Sequence, residues 1–185
     1  MEVKIKNLIP WSVALDEARR TVGKESLGKE PSSKWKLRSL IAEHSQVKLV
    51  TYMISFSALR QWVGVHLLRH EHTLPFIHSQ REDRRELGCS RDELPQGSLN
   101  DQDFVVNAQT LINMGRKRLC YKASKETREA FSEVKKQLSL VDPELASVIV
   151  QNCIYRGFCP EMESCGFCNT DAFKKQREEY VLLNQ

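Results

Sequence analysis

The stretch DFVVNAQTLINMGRKRLC, residues 103–120, predicts a helix. Asn107 and Arg118 are eleven residues apart. At about 100° per residue they share one face, about three turns apart. Two interpretations stay open. The face could carry function, or 116–118 could be a solvated basic helix end, which the helix dipole favours.

The residues on either side of this helix indicate an α+β chain whose C-terminal half is rich in helix. Alternation and β-branched content predict strands at 1–8 and 47–58. Loops are expected at 23–33 and over most of 71–103, because Pro, Gly and charged residues accumulate there. Further helices are predicted at 12–20 with Ser12 as cap, from Ser33 through 44, at 59–70, at 125–141, and from Asp142-Pro143 to about Asn152.

The composition limits the classes of protein to which the chain can belong. At 185 residues it is most simply one domain with a substantial core. A net charge of +4, from 28 basic and 24 acidic residues, suits a protein that handles anions but is too small to indicate a nucleic-acid binder. No apolar run approaches a membrane span, and the N-terminus lacks a signal-peptide core. We therefore expect a cytoplasmic protein with reduced thiols.

Residues 66–85, HLLRHEHTLPFIHSQREDRR, hold four of the five histidines of the chain. The stretch has no His-Glu-x-x-His spacing, and no carboxylate stands at a clear ligand spacing, so a metal site is not favoured. Ser79 and Arg81 are two residues apart and point the same way in extended backbone. A guanidinium and a hydroxyl on one side can bind phosphate or a uracil-like edge.

Four cysteines near the C-terminus have the pattern C-x5-C-x5-C-x2-C, at Cys153, Cys159, Cys165 and Cys168. Four thiolates this close together predict a structural zinc site, with a knuckle-like turn at 165–168. A compact loop of unliganded thiols stays equally open, and an iron–sulfur cluster or a redox pair is a smaller alternative. Cys89 and Cys120 are read as solitary residues.

Several motifs occur in the order and register of a known family. Arg69-His70 is followed by Ser79-x-Arg81, and His44 stands upstream at the expected separation. SRDELP (90–95) and NAQTLINMGRKR (107–118) follow. On these residues the chain resembles the flavin-dependent thymidylate synthases (ThyX, thymidylate synthase complementing proteins) over roughly residues 14–130. The positions in register with the last two motifs are Arg91, Leu94, Pro95, Asn107, Ala108, Leu111, Asn113 and Arg118.

The resemblance implies a ThyX-like α/β domain in which a small antiparallel sheet is packed by helices, and which assembles as a homotetramer. It implies that residues 1–150 are the catalytic domain and 151–185 a cysteine-containing tail. The residues it assigns to the substrate, dUMP, are His66, Arg69, Ser79, Arg81, Arg91 and Arg118. The residues it assigns to the cofactor, FAD, are His44, His70, Asn107 and Asn113.

The implied reaction is reductive methylation of dUMP to dTMP, with methylenetetrahydrofolate and NADPH as co-substrates. Arg118 is the expected catalytic residue, because a fixed guanidinium can stabilise charge that builds up on the pyrimidine ring. Ser79 is expected to bind, because a hydroxyl without a neighbouring general base is a weak nucleophile.

Four positions depart from the family pattern and place flavin binding in question. Glu71 stands where the family has Arg, Phe76 and Ile77 where it has Asn and Glu, and Gln109 where it has Arg. Two alternatives follow from these departures. The protein could hydroxymethylate dUMP or dCMP, or it could bind a pyrimidine nucleotide without catalysis.

Overall fold

The structure is a computed structural model and describes residues 1–84, 86 and 88–183. Its described residues form one sheet and a set of helices, as the sequence predicts for an α+β chain. Within the described part of the chain, the helices are too short or too polar to cross a membrane.

A four-stranded antiparallel sheet in the described residues forms the centre of the fold, with strand order β1-β2-β4-β3. Ile54 of the second strand lies between Ile5 and Phe104 of its two neighbours. The small antiparallel sheet implied by the family resemblance is thus confirmed. The strands are β1 (Glu2–Ile9), β2 (Thr51–Arg60), β3 (Thr73–Ile77) and β4 (Leu99–Asn107).

Helices surround this sheet, and the described residues contain eight. The helices are α1 (Trp11–Arg20), α2 (Ser33–Ile41), α3 (Gln61–Leu68), α4 (Ala108–Arg118), α5 (Lys125–Val141), α6 (Pro143–Val148), α7 (Asn152–Arg156) and α8 (Asp171–Leu182). Short 3₁₀ turns lie at Ser45–Lys48, Arg91–Glu93 and Phe167–Asn169. Helix thus dominates after residue 108, as predicted.

One face of the sheet forms one side of the core. Alternate residues of β2, such as Tyr52 and Phe56, are buried, whereas those between them are partly exposed. The longest helix, α5, packs its apolar stripe, which includes Phe131 and Leu138, into the same core. The core thus lies between every second residue of the strands and one face of the helix, whose side chains repeat every 3.6 residues.

The prediction that residues 103–120 form one helix is wrong in its first part. Residues 103–107 are the end of β4, where Val106 pairs with Tyr52 on one side and Thr73 on the other. The loop predicted over 71–103 likewise contains β3 and most of β4. A short run of apolar β-branched residues next to a helical pattern is compatible with either a strand or a helix. Here the pairing with β2 and β3 makes it a strand.

The bounds of α5 and the start of α2 at Ser33 are as predicted, whereas the bounds of α1, α3 and α6 and the end of α2 differ from the prediction by one to four residues. Pro10 rather than Ser12 precedes α1, and the side chain of Ser32 caps α2 by accepting the Trp35 N–H. Helix α6 ends at Val148 rather than near Asn152. Such shifts are expected, because the residue that caps a helix depends on the backbone path before it.

Asp142 joins three distant parts of the chain at a buried point. Its Oδ2 accepts hydrogen bonds from Trp11 Nε1 and from the Tyr52 hydroxyl, both at 2.5 Å. Its Oδ1 accepts the Leu145 N–H at 3.0 Å and so caps α6. The side chain is 2% exposed. Burial, together with the Asp142 charge, raises the pKa of Tyr52 far above its ordinary value, so the phenol stays a donor.

We expect Asp142→Ala to lower the free energy of unfolding by about 3 kcal/mol or more, since it leaves buried Trp and Tyr donors unpaired. Thr170→Ala is the matched control, because Thr170 caps the exposed start of α8. Loss of that cap should cost only about 1 kcal/mol. Equilibrium denaturation in urea measures both, and equal losses in the two variants would contradict the bridging role of Asp142.

Candidate functional site

The junction of β4 and α4 positions the first candidate site. Asn107 is the last residue of the strand, and its Oδ1 accepts the Thr110 N–H at 2.8 Å, which caps the helix. Because no loop separates the two elements, the first turn of α4 is held at the end of the sheet. Asn107 Nδ2 is left as a donor at this end.

A cleft of about 510 Å³ opens beside this helix start, and we call it the α4 cleft. Its lining combines cationic, acidic and amide side chains. The lining residues are Glu43, Lys48, Arg69, His70, Glu71, His72, Asn107, Gln109, Thr110 and Asn113. The residue types suit an anionic ligand that also makes hydrogen bonds.

Two guanidinium groups lie around the imidazole of His70. Arg118 Nε donates to His70 Nε2 over 2.9 Å, which requires a neutral ring that accepts at this nitrogen. Burial, followed by the charges of Arg118 and Arg69, lowers the pKa of His70 to about 4. Burial and Arg69 also lower the pKa of Arg118. Among the described residues neither arginine has an ion-pair partner, so the pair is open to an anion.

A second hydrogen-bond network, around Glu43, also lines the α4 cleft. Glu43 forms an ion pair with Arg116 and accepts a hydrogen bond from Gln109 Nε2 at 2.7 Å. Burial acts to raise the pKa of Glu43, but bonds from Arg116 and its neighbours bring it below its ordinary value. Gln109 Oε1 is buried and lacks a hydrogen-bond partner among the described residues. Gln109 therefore belongs to a fixed neutral wall at a position where the family has a cation.

Arg116 also connects this wall to the C-terminal segment. Its guanidinium carbon lies 3.7 Å from the centre of the Tyr155 ring, on α7. Its Nη1 donates to Asn113 Oδ1 at 3.2 Å, and Asn113 lines the cleft. The segment after residue 150 thus supports the cleft through one stacked cation.

A second cleft, of about 480 Å³, lies beside α3, and we call it the α3 cleft. His66 and Arg91 both line it. The His66 ring packs edge-on against Trp62 with centroids 5.4 Å apart, and its Nδ1 lies 3.0 Å from Thr127 Oγ1. The other lining residues are Gln61, Val65, Gln80, Asp92, Leu94, Pro95 and Gln96.

The structure brings most of the predicted site residues to these two clefts. Four of them, Arg69, His70, Asn107 and Asn113, line the α4 cleft, and Arg118 joins them through His70. Arg118 was the residue predicted to act on the substrate. His66 and Arg91 line the α3 cleft. Their binding roles remain predictions.

Besides Arg118, three residues assigned to the substrate or the cofactor lie outside both linings. Arg81 is exposed and forms an ion pair with Asp83, with bonds of 2.9 and 2.7 Å. Ser79 Oγ accepts the Arg81 N–H at 3.2 Å within the same turn. His44 is exposed beside Glu43 and begins a 3₁₀ turn. The binding roles of these residues remain predictions, and within one chain their side chains are engaged elsewhere or face outward.

Sequence reasoning missed Lys48, Thr110, Glu43 and Trp62 as residues that line the clefts. Lys48 and Glu43 belong to the irregular segment after α2, where no periodicity indicates direction. Trp62 gave a usable signal, since it stands four residues before His66 on a predicted helix and so shares its face.

Three of the four tail cysteines, Cys153, Cys159 and Cys168, lie close together. Cys153 and Cys168 belong to a small satellite core with Ile154, Phe167 and Phe173, and Cys168 contacts both Cys153 and Cys159. No three described His, Cys, Asp or Glu side chains are grouped closely enough to hold a metal ion. The zinc site at Cys153, Cys159, Cys165 and Cys168 therefore remains a prediction.

The prediction that Cys120 is solitary is wrong. Burial raises the pKa of its thiol, and the nearby Glu161, Cys165 and Cys159 side chains raise it further. The tilted rings of Tyr121 and Phe167, with centres 5.0 Å apart, bring the tail loop against this segment. Such proximity could not be predicted from the sequence, because 32 residues lie between Cys120 and Cys153.

Comparison with known proteins identifies the fold. No protein-family model and no curated protein sequence matches the chain. Among solved structures, the chain is similar to flavin-dependent thymidylate synthase ThyX from Helicobacter pylori, complexed with FAD and dUMP. The identity is 15%, over 82% of this chain and 100% of that one, with a TM-score of 0.62. A second structure of the same enzyme with FAD and dUMP is 17% identical to this chain. The match covers 80% of this chain and 97% of that one, with a TM-score of 0.64.

The chain is also similar to PolB, a UMP/dUMP methylase from Streptomyces cacaoi bound with 5-Br dUMP. There the identity is 10%, over 85% of this chain and 96% of that one, with a TM-score of 0.58. The fold of this chain is therefore that of the flavin-dependent thymidylate synthases. The fold predicted from the motif resemblance is confirmed, at identities where sequence matching alone finds nothing.

We expect the His70 ring to remain neutral at pH 6 and to be half protonated near pH 4, measured from its NMR signals. Because this pKa lies below the ordinary 6.5, the unfolded state binds the proton first, and stability falls as pH drops from 6.5 toward 4. Arg118→Gln should raise the pKa of His70, because it removes a nearby positive charge. Lys117→Gln, an exposed change on the same helix, is the control, and an unchanged His70 pKa in Arg118→Gln would contradict the coupling.

Proposed function

We propose that this protein is a flavin-dependent enzyme that modifies dUMP, most simply by reductive methylation to dTMP with methylenetetrahydrofolate and NADPH. The observation that carries the proposal is the pair of guanidiniums, Arg69 and Arg118, around a neutral His70. Neither guanidinium has an ion-pair partner among the described residues, and Arg118 is partly buried, so both are available to bind an anion. The fold, which solved complexes with FAD and dUMP share, supports the same assignment.

Arg118 is proposed to stabilise negative charge on the pyrimidine as C5 becomes nucleophilic. The guanidinium stays protonated, so it acts by electrostatics and not by proton transfer. Its Nε is occupied by His70, and this fixes the plane in which its remaining N–H groups donate. Because His70 carries no charge near neutral pH, it orients Arg118 without competing for an anion.

The α4 cleft fits FAD in the chemistry of its donors. Lys48 and Arg69 supply positive charge for phosphate, and Asn107 Nδ2 and Asn113 supply amide donors. We propose that His44, His70, Asn107 and Asn113 hold the cofactor, and that Arg69 contacts the nucleotide. When bound, FAD would supply the hydride that the reductive step needs.

The departures from the family pattern weigh less against FAD once their positions are known. Phe76 and Ile77 are exposed on β3 and belong to the lining of neither cleft. Glu71 lies on the lining, but its backbone carbonyl is tied to Thr110, and its carboxylate is exposed. Gln109 replaces a cation by a neutral group. The cleft lining still includes two cations, Lys48 and Arg69, for which the described residues provide no ion-pair partner.

The α3 cleft is proposed to hold the nucleotide through His66 and Arg91, with Ser79 and Arg81 as contributors from the loop after β3. Residues 1–150 would then form the catalytic domain, and 151–185 a tail that supports it through Tyr155. The proposed reaction needs no cysteine nucleophile, and no thiol of the described residues lines either cleft.

We propose that the chain assembles as a homo-oligomer, most simply the homotetramer. β3 is an edge strand whose apolar side chains Leu74, Phe76 and Ile77 are exposed. An apolar edge strand on a soluble surface is normally covered by another chain.

Phe76→Lys is expected to lower the assembled mass measured by light scattering after size-exclusion chromatography, because a charge would be buried at the interface. Phe158→Lys is the matched control, since the two rings are 62% and 57% exposed. An unchanged mass in Phe76→Lys, or an equal loss in both variants, would place the interface elsewhere.

Arg118→Ala is expected to lower kcat for dTMP formation by at least about 100-fold, since it removes the group that stabilises transition-state charge. Lys117→Ala should retain activity. The visible spectrum of the purified protein reports the flavin, and mass spectrometry of the product separates methyl from hydroxymethyl. Protein that binds dUMP but takes up no FAD would favour a non-catalytic binding protein, and a hydroxymethyl product without net reduction would reject the synthase.

A further inference from the structure

The imidazole of His66 is tied to the start of α5 by a short chain of hydroxyl groups. His66 Nδ1 lies 3.0 Å from Thr127 Oγ1, and Ser124 Oγ donates to the same oxygen at 2.8 Å. Thr127 is fully buried. The three side chains connect the α3 cleft to the capped first turn of α5.

The capping role of Ser124 sets the direction of these hydrogen bonds. Ser124 Oγ accepts the Thr127 N–H at 3.4 Å, as an N-cap does, and its own proton goes to Thr127 Oγ1. The hydroxyl of Thr127 therefore has one proton left to donate. Among the described residues, His66 Nδ1 is the remaining partner within reach, so this nitrogen accepts.

A neutral imidazole that accepts at Nδ1 carries its proton at Nε2. The edge contact with Trp62 fixes the ring plane, and the ring lies on the lining of the α3 cleft. No described side chain bonds to Nε2. The ring thus offers the cleft one N–H donor in a set direction.

We propose that Thr127 is a positioning residue that holds His66 as an Nε2–H donor, so that the α3 cleft binds a ligand with an oxygen acceptor at that point. This inference rests on the proposed function, in which the cleft holds a pyrimidine nucleotide. The acceptor is a ring carbonyl or a phosphate oxygen, since both present the same chemistry.

The tautomer is tested by ¹⁵N NMR of the histidines in the full chain. His66 should show a protonated Nε2 and an unprotonated Nδ1 at pH 7.5, and Thr127→Ser should keep this pattern. Thr127→Val, which has nearly the same shape, should shift the two nitrogen signals toward an averaged tautomer. Thr21→Val, an exposed change, is the control. A protonated Nδ1 in the unaltered protein overturns the proposal without recourse to any variant.

The consequence for binding is tested by calorimetry with dUMP. Loss of one oriented hydrogen bond should weaken binding to Thr127→Val by about 3- to 10-fold, with Thr127→Ser close to the unaltered protein. Deoxyuridine and deoxyribose 5-phosphate are titrated in parallel. If the loss appears with deoxyuridine, the acceptor is a ring carbonyl, and if it appears with the sugar phosphate, the acceptor is a phosphate oxygen.

The outcomes separate this inference from the proposed function. Unchanged dUMP affinity in Thr127→Val, with circular dichroism and melting temperature also unchanged, overturns the positioning role alone. Failure of the unaltered protein to bind dUMP overturns the proposed function and the ligand part of this inference together. The NMR result still decides the tautomer in that case.

Discussion

The direct passage of β4 into α4 is the constraint on which the rest of the structure depends. β4 is paired along both edges, by β2 and β3, so its end cannot shift without breaking two ladders. The Ala108 N–H binds the Val50 carbonyl at 2.8 Å, and Asn107 caps the helix that follows. Because no loop separates the strand from the helix, the eleven residues of α4 place Arg118 beside His70, which follows α3. Residues at the end of β4 and the start of α4 line the α4 cleft.

The cations around the α4 cleft differ in whether a described carboxylate forms an ion pair with them. On one wall Arg116 is neutralised by Glu43, stacked on Tyr155, and removed from ligand chemistry. On the other, Arg69 and Arg118 face an imidazole that both charges and burial keep neutral. The result is a cleft with one neutral, hydrogen-bonding wall and one open cationic wall. Substitution of Gln for Arg at 109 fits the neutral wall, because a further cation there would compete with Arg116 for Glu43.

The C-terminal segment belongs to this arrangement and is not an appendage. Tyr155 supports Arg116, and Tyr180 packs against the main core as well as the satellite core. Four buried residues are few for an independent unit, so the satellite core depends on contacts with α4 and with the segment around Cys120 and Tyr121.

The sequence by itself determined the α+β class, most helices after residue 108, and the family whose fold the chain has. Ordered motifs such as Arg69-His70 and the 107–118 segment carry residue types and spacing, which survive at 15% identity. It could not determine that 103–107 is strand, that Asp142 binds Trp11 and Tyr52, or that Cys120 meets the tail. It also could not show that the predicted residues divide between two clefts. Those facts are pairings over long sequence separations, and only the packed chain decides which of several locally acceptable conformations has partners for its buried polar groups.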